Sequence, residues 1–371
     1  AGVPHQSFNH LTVGAHAMSS RPTPERIHTP GCTVLGKVAS RDCVVSVPAL
    51  GMAAPNVGLV APSVGVAVLP ARPEPDLASA IESAGGVLVD PARAEALVWT
   101  ATGFEPGFTP SELLTTLSRN PGIRWIQLPW AGVEPYAAAG IFDDGRVWTS
   151  AKGVYGPPVA EHALTLTLAG FRNLKVFTQA RRWTAQAGRS LFGATVTIFG
   201  GGGITDELVR LLVPFGCHVT VVRKRPRAMT GVERVVGWDD RDGVLSDADA
   251  VILALALTPE TEGMIGCRQF EAMATHAWLV NVARGRHIVT DDLVDALRSG
   301  LIAGAALDVT DPEPLPEGHP LWLLPNCLIT PHTANTKAMA IPLLAARVAD
   351  NIRRYAAGEP LVGQIDPELG Y

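Results

Sequence analysis

From residue 64 onward the chain repeats one unit: a short apolar, β-branched run followed by a stretch with helical spacing. "VGVAVL" (64–69) leads into "DLASAIESAG", then "GVLVD" and "EALVWTAT", and "GIRWIQLPWAGVEPY" (122–136) continues the alternation. A second series opens with "ATVTIFG" (194–200) and runs through "CHVTVV", "ADAVILALAL", "HAWLVNVA" and "IAGAALDV" to "CLITPH". Strands that alternate with helices build parallel sheets, and strands apolar nearly throughout need helices on both faces. The expected fold is therefore α/β, with two doubly wound parallel-sheet domains. Between the series, "VAEHALTLTLAGFRNLKVFTQARRW" (159–183) reads as one long helix joining the domains. "IPLLAARVADNIRRYAAG" (341–358) reads as a closing helix that packs back on the first domain.

With 371 residues there is room for two domains that each bury a core. Residues 1–62 break the pattern: their only acids are Glu25 and Asp42, and they show little periodicity, so they read as an irregular N-terminal extension. An acid-poor start with several arginines also resembles an organelle transit segment, although it lacks a basic amphipathic helix. We expect residues 63–156 to form the first part of one domain, 157–331 a nucleotide-binding domain, and 332–371 the return to the first. A net charge of −5 gives nucleic acid no electrostatic handle. The five cysteines are scattered without a CxxC pair, which argues against a metal site and fits free thiols in a reducing cytoplasm. No apolar run reaches the roughly 20 residues that would span a bilayer, so no membrane partner is expected.

"IFGGGGITDEL" (198–208) follows a strand and opens a helix. In a nucleotide-binding turn the first glycine makes the bend, the second lets the backbone approach a pyrophosphate, and the third lets helix and strand pack closely. Gly200 and Gly202 fill the first two slots, but Thr205 occupies the third. Crowding there predicts a slightly displaced helix and weaker binding, which glycine at 205 would relieve. The next strand ends in "VVRKRPR". An acid at that tip bonds a ribose 2′-hydroxyl, whereas Arg223 and Lys224 suit a 2′-phosphate, so NADP(H) is favoured over NAD(H); a solvated basic turn is the plainer alternative.

Three later stretches each place a polar residue after a strand end: Arg284 in "NVARGRH", Glu313 in "ALDVTDPEPLP" and His332 in "LITPHTAN". Ligands collect at that edge of an open α/β sheet. Taken singly, each has an ordinary structural explanation.

Together with "VAEHALTLTLAG", "TPETEGMI" and "NVARGRHIVTDDLVDALRSGLIAGAALDV", these stretches make the chain resemble the D-isomer-specific 2-hydroxyacid dehydrogenase family over roughly residues 64–360. That family includes glyoxylate/hydroxypyruvate reductases and phosphoglycerate dehydrogenases. The resemblance implies a Rossmann NAD(P)-binding domain inserted in a flavodoxin-like substrate domain. It also implies a homodimer formed through the helix after Val159 and the "RRWTAQAGRS" arm. It assigns Arg284 to the substrate carboxylate, His332 to acid/base work and Glu313 to orienting that histidine. Gly203, Ile204, Val282, Ala283 and Asp308 would touch the cofactor, with Asp308 on the nicotinamide carboxamide. The loop "LPWAGVEPY" would present the backbone N–H groups of Trp130, Ala131 and Gly132 to the substrate carboxylate; the side chains of Trp130 and Trp322 either line the pocket or belong to the core or an interface. No metal is implied.

Residue chemistry agrees with those roles. Reducing a 2-keto acid puts negative charge on the carbonyl oxygen, so the site needs a proton donor and a fixed cation. An imidazole backed by a carboxylate supplies the first, and a guanidinium matched to a carboxylate supplies the second. Glyoxylate or hydroxypyruvate is the expected substrate, since few basic residues flank the substrate loop to hold a phosphorylated one. Thr205, Ala256 before "LTPET" and Arg223 depart from the family pattern and bear on cofactor affinity and type. About 40 residues follow His332, too few for a regulatory domain. Rival readings are a phosphoglycerate dehydrogenase-like or formate-type enzyme, the latter disfavoured by Glu313, and a non-catalytic nucleotide-sensing protein of the same fold.

Overall fold

Two parallel sheets form the framework of the computed structural model, which describes residues 63–366 except 71, 101–108, 134–135 and 138. The extension expected over residues 1–62 lies outside the described residues.

The first sheet contains β1 (Val64–Leu69), β2 (Gly86–Leu88), β3 (Ala96–Trp99), β4 (Trp125–Gln127) and β5 (Val147–Thr149). Its order is β2-β1-β3-β4-β5 and every pair is parallel, the flavodoxin-like arrangement. Helix α1 (Pro75–Ser83) buries Leu77 and Ile81; α2 (Pro110–Arg119) buries Leu113 and Leu117. Each pair is spaced i,i+4, so one stripe of each helix turns inward. The two stripes belong to different clusters, which means that both faces of the sheet are covered.

The single helix expected over 159–183 is instead two, α3 (Gly156–Phe171) and α4 (Leu174–Gln179). Asn173 between them has φ 49, a left-handed conformation that asparagine tolerates better than most residues. The carbonyl of Phe171 accepts the N–H of Arg189 at 2.7 Å, so the returning chain takes the place of the next helical turn. Residues 181–190 run exposed and without helix.

The second sheet holds β6 (Thr195–Phe199), β7 (His218–Val222), β8 (Arg234–Val236), β9 (Ala250–Leu253), β10 (Trp278–Asn281), β11 (Gly304–Leu307) and β12 (Cys327–Ile329). Its order, β12-β11-β10-β9-β6-β7-β8, reverses direction between β9 and β6, which marks a topological switch point at their C-terminal ends. Helix α5 (Gly203–Leu212) and α3 cover one face; α6 (Cys267–Ala272) and α7 (Thr290–Ser299) cover the other. A short α8 (Pro320–Leu323) precedes β12. Strands β5 and β8 fall outside the expected runs: each is a three-residue edge strand, "VWT" or "RVV", set close to charged residues rather than in a longer apolar run.

Helix α9 (Lys337–Ala357) returns to the first sheet, where Leu344, Val348 and Ile352 join Val64, Val66, Leu77 and Ile81 in one cluster. After it, the Ser150 N–H donates to Gly363 at 2.8 Å and the Ile365 N–H to Trp148 at 2.9 Å, fixing the C-terminal segment along β5. No helix among the described residues is long and apolar enough to cross a membrane.

Candidate active site

Glu313 and His332 come from different loops of the second sheet and meet at 2.6 Å, Oε1 to Nδ1. Their approach depends on a glycine. A Cβ at Gly285 would stand 1.9 Å from the carbonyl oxygen of Thr310, so only glycine lets the loop after β10 lie against the loop after β11. That contact brings Arg284 beside the segment that carries Glu313. Burial alone would push the Glu313 carboxyl up; the His332 hydrogen bond and charge, the Thr310 N–H and the Arg284 charge overcome it and hold the group below its ordinary value. Glu313 is thus an anion poised to accept from the ring. Arg284 also donates to its own neighbour, the Ala283 carbonyl, at 2.8 Å.

His332 adopts φ 50, in the left-handed region where an L side chain is strained by about 1 kcal/mol or more. The surroundings that hold it there centre on Asp308. The backbone N–H of His332 donates to the Asp308 carbonyl at 2.8 Å. Asp308 Oδ1 accepts from Thr330 Oγ1 at 2.6 Å and from the Thr333 N–H at 2.9 Å, while Oδ2 accepts from the Ala334 N–H at 3.0 Å. His162 of α3 adds Nε2 at 3.0 Å from Thr330 Oγ1 and 3.3 Å from Asp308 Oδ1. Burial acts to raise the Asp308 carboxyl, but the His162 and Thr330 hydrogen bonds and the Thr333 and Ala334 amides together bring it below its ordinary value. The carboxamide contact expected of Asp308 must therefore share a carboxylate that already holds the histidine loop. No site role is expected for His162 or Thr330 from sequence: "VAEHALTLTLAG" counts there as helix and as part of the family resemblance, and nothing local to it indicates a partner 168 residues away.

The glycine loop supplies an open cradle. Gly200 has φ +113, and a Cβ there would lie 2.1 Å from the Ala254 carbonyl, while a Cβ at Gly202 would meet nothing within 4 Å. Bare backbone at the start of α5, next to the sheet's switch point, fits a pyrophosphate. Gly203 and Ile204 form the first residues of that helix. The crowding expected at Thr205 is corrected: the side chain is fully buried and its Oγ1 donates to the Gly200 carbonyl at 3.0 Å, so it braces the turn. Space for the close approach comes from the partner helix, since a Cβ at Gly156 of α3 would stand 2.9 Å from the Gly203 carbonyl.

Arg223 lies against this loop, its guanidinium 2.9–3.0 Å from where a Gly201 Cβ would be. Lys224 instead binds Glu260 of the loop after β9, at 3.0 and 2.9 Å to the two carboxylate oxygens. Val282 and Ala283 are buried at the end of β10. The Ala283 N–H donates to Asn281 Oδ1 at 3.0 Å, and the Asn281 amide returns to the Arg284 carbonyl at 2.8 Å, which stiffens the turn bearing the arginine.

Trp130, Ala131 and Gly132 stand after β4, on the first sheet. Trp130 stacks on Tyr136 at 5.4 Å between ring centroids, and the Tyr155 hydroxyl at the start of α3 donates to the Pro129 carbonyl, tying that loop to the linking helix. Trp322 of α8 donates its indole N–H to the Pro316 carbonyl at 3.1 Å and remains partly exposed.

A family model described as D-isomer specific 2-hydroxyacid dehydrogenase, NAD binding domain, matches residues 163–334. A protein of Serratia proteamaculans named glyoxylate/hydroxypyruvate reductase A is 35% identical over 215 residues, covering 57% of this chain and 68% of that protein. A human protein named glyoxylate reductase/hydroxypyruvate reductase is 34% identical, covering 56% of this chain and 66% of its own length. Among solved structures, a D-isomer specific 2-hydroxyacid dehydrogenase from Xanthobacter autotrophicus, in complex with NADPH and MES, superposes with a TM-score of 0.70 at 29% identity, covering 83% of this chain and all of that one.

Proposed function

We propose, since this chain belongs to the D-isomer specific 2-hydroxyacid dehydrogenase family, that it reduces a small 2-keto acid such as glyoxylate or hydroxypyruvate to the D-2-hydroxy acid with NADPH. The observation that carries this reading is the Glu313–His332 pair at 2.6 Å, with the Arg284 charge acting on the same carboxylate.

The roles of the site residues extend that reading. Glu313 accepts from Nδ1–H and so leaves Nε2 of His332 as the nitrogen that gives the carbonyl oxygen its proton in reduction and recovers it in oxidation. Arg284 presents a fixed planar cation to the substrate carboxylate. The backbone of Trp130, Ala131 and Gly132 meets that carboxylate from the first sheet. Gly200, Gly202, Gly203 and Ile204 would cradle the pyrophosphate of a bound dinucleotide, Arg223 and Lys224 would meet its 2′-phosphate, and Val282, Ala283 and Asp308 would border its nicotinamide. When bound, the cofactor supplies the hydride. Closure of one sheet domain on the other would exclude water from the cleft.

The division that supports such a cleft, residues 63–156 with 332–371 around an inserted 157–331, rests on α9 and its following segment packing on the first sheet. A homodimer is supported by Trp183, 98% exposed on the 181–190 arm, together with exposed Leu174 and Val176 on α4. Free thiols at Cys217, Cys267 and Cys327 fit a cytoplasmic setting. The activity is tested by nicotinamide absorbance with NADPH or NADH and a panel of glyoxylate, hydroxypyruvate and phosphohydroxypyruvate, and with NADP+ or NAD+ and formate. Turnover of the first two with NADPH is expected; nucleotide binding without any turnover would favour a sensing role.

A further inference from the structure

The two adjacent cations after β7 are held in different ways. Arg223 rests against Gly201, and among the described residues its side-chain hydrogen-bond partner is the weakly accepting Sδ of Met229 at 3.7 Å. Lys224 has a full counter-charge, since Glu260 engages its Nζ with both carboxylate oxygens at 3.0 and 2.9 Å. In the sheet, β6 and its glycine loop lie between β7 and β9. The Lys224–Glu260 pair therefore joins the two loops that flank the glycine loop, on the side where the adenosine end of a dinucleotide lies.

We propose that Glu260 tempers this site's preference for the phosphorylated cofactor by competing with the 2′-phosphate for Lys224. The proposal rests on the reading above that Lys224 faces a 2′-phosphate. A carboxylate within 3 Å of Nζ must be released, or left beside a second anion, when Lys224 turns to a phosphate. A dinucleotide with a free 2′-hydroxyl leaves the pair intact. Glu260 thus lowers affinity for the phosphorylated cofactor alone and lets the unphosphorylated one compete, while Arg223 keeps the site selective for the phosphate. Both side chains are more than half exposed, so the pair is solvent-screened and the effect is modest: two- to fivefold in affinity is about what an exposed ion pair spans.

The test is direct binding of NADPH and of NADH to the full chain by titration calorimetry, comparing wild type, Glu260→Gln, Lys224→Met and the double variant. Glu260→Gln is expected to tighten NADPH about two- to fivefold and to leave NADH unchanged. Lys224→Met is expected to weaken NADPH, and in that background Glu260→Gln should recover less than half of its effect. If Lys224→Met weakens NADPH but Glu260→Gln changes both cofactors equally or neither, competition is overturned while the cofactor assignment stands. A full gain from Glu260→Gln in the Lys224→Met background also overturns it, because the lysine is then not the object of competition. Should neither Lys224→Met nor Arg223→Ala alter the ratio of the two affinities, the assignment itself falls and the proposal falls with it.

Discussion

The main-chain N–H of His332 donates to the carbonyl of Asp308 at 2.8 Å, and the Asp308 carboxylate holds the next two amides of the same loop. One buried acid therefore fixes the backbone on both sides of a histidine strained at φ 50. Its carboxyl is held below its ordinary value of 3.8, so the stabilisation it contributes is present at neutral pH and is lost as pH falls through the lowered value. Asp308→Asn should destabilise the fold by about 3 kcal/mol at neutral pH, in the range for breaking a buried charged network. Urea denaturation of both proteins at neutral pH and below about pH 4 checks the sign, because the gap between them should narrow in acid.

Arg284 is expected to act through shape as well as charge. Lysine keeps the charge but loses the planar fork. Arg284→Lys should lower kcat/KM for hydroxypyruvate by about 100-fold or more, the scale of one or two charge-assisted hydrogen bonds, while NADPH affinity measured by calorimetry stays close to wild type.

Thr205 is predicted to brace the glycine turn. Thr205→Val keeps the branched bulk and removes the donor to Gly200, which should cost about 1 kcal/mol of stability and weaken NADPH binding. Thermal unfolding and calorimetry of Val and Gly variants decide the matter. Tighter binding by Thr205→Gly would restore the steric account that the hydrogen bond replaces.

Much of this was legible in the sequence, and the parts that were not share a cause. Apolar strand runs such as "ATVTIFG" reveal the sheets because burial on both faces leaves no alternative pattern. Arg284, Glu313 and His332 stand out because each lies in the loop that follows a strand and within a stretch that resembles the family. What failed was anything decided by tertiary contact. The break at Asn173 lies inside a stretch whose mostly apolar pattern reads as one helix, and it depends on Arg189 returning to cap Phe171. Thr205 looked like a defect because its hydroxyl's acceptor is a main-chain carbonyl. Glu260 and His162 lie in stretches that carry the family resemblance, but their partners, 36 and 168 residues away, leave no mark in the local sequence.

The exposed arm gives a test of assembly. Trp183 is 98% exposed on the arm through which the proposed homodimer would form, so its indole is available to a second copy. If the proposed dimer forms through this arm, Trp183→Glu should shift the sedimentation coefficient from that of a dimer to that of a monomer; an unchanged coefficient would count against this arm as the interface.

The proton-transfer role of His332, backed by Glu313, is tested most directly by a single-turnover measurement. Enzyme saturated with NADPH is mixed with hydroxypyruvate, and loss of nicotinamide absorbance is followed for wild type and His332→Ala, with NADPH affinity measured in parallel. The predicted result is a rate lower by about 10²- to 10⁴-fold with cofactor affinity within about twofold of wild type. A variant that binds NADPH poorly yet transfers hydride at the wild-type rate once loaded would contradict the account.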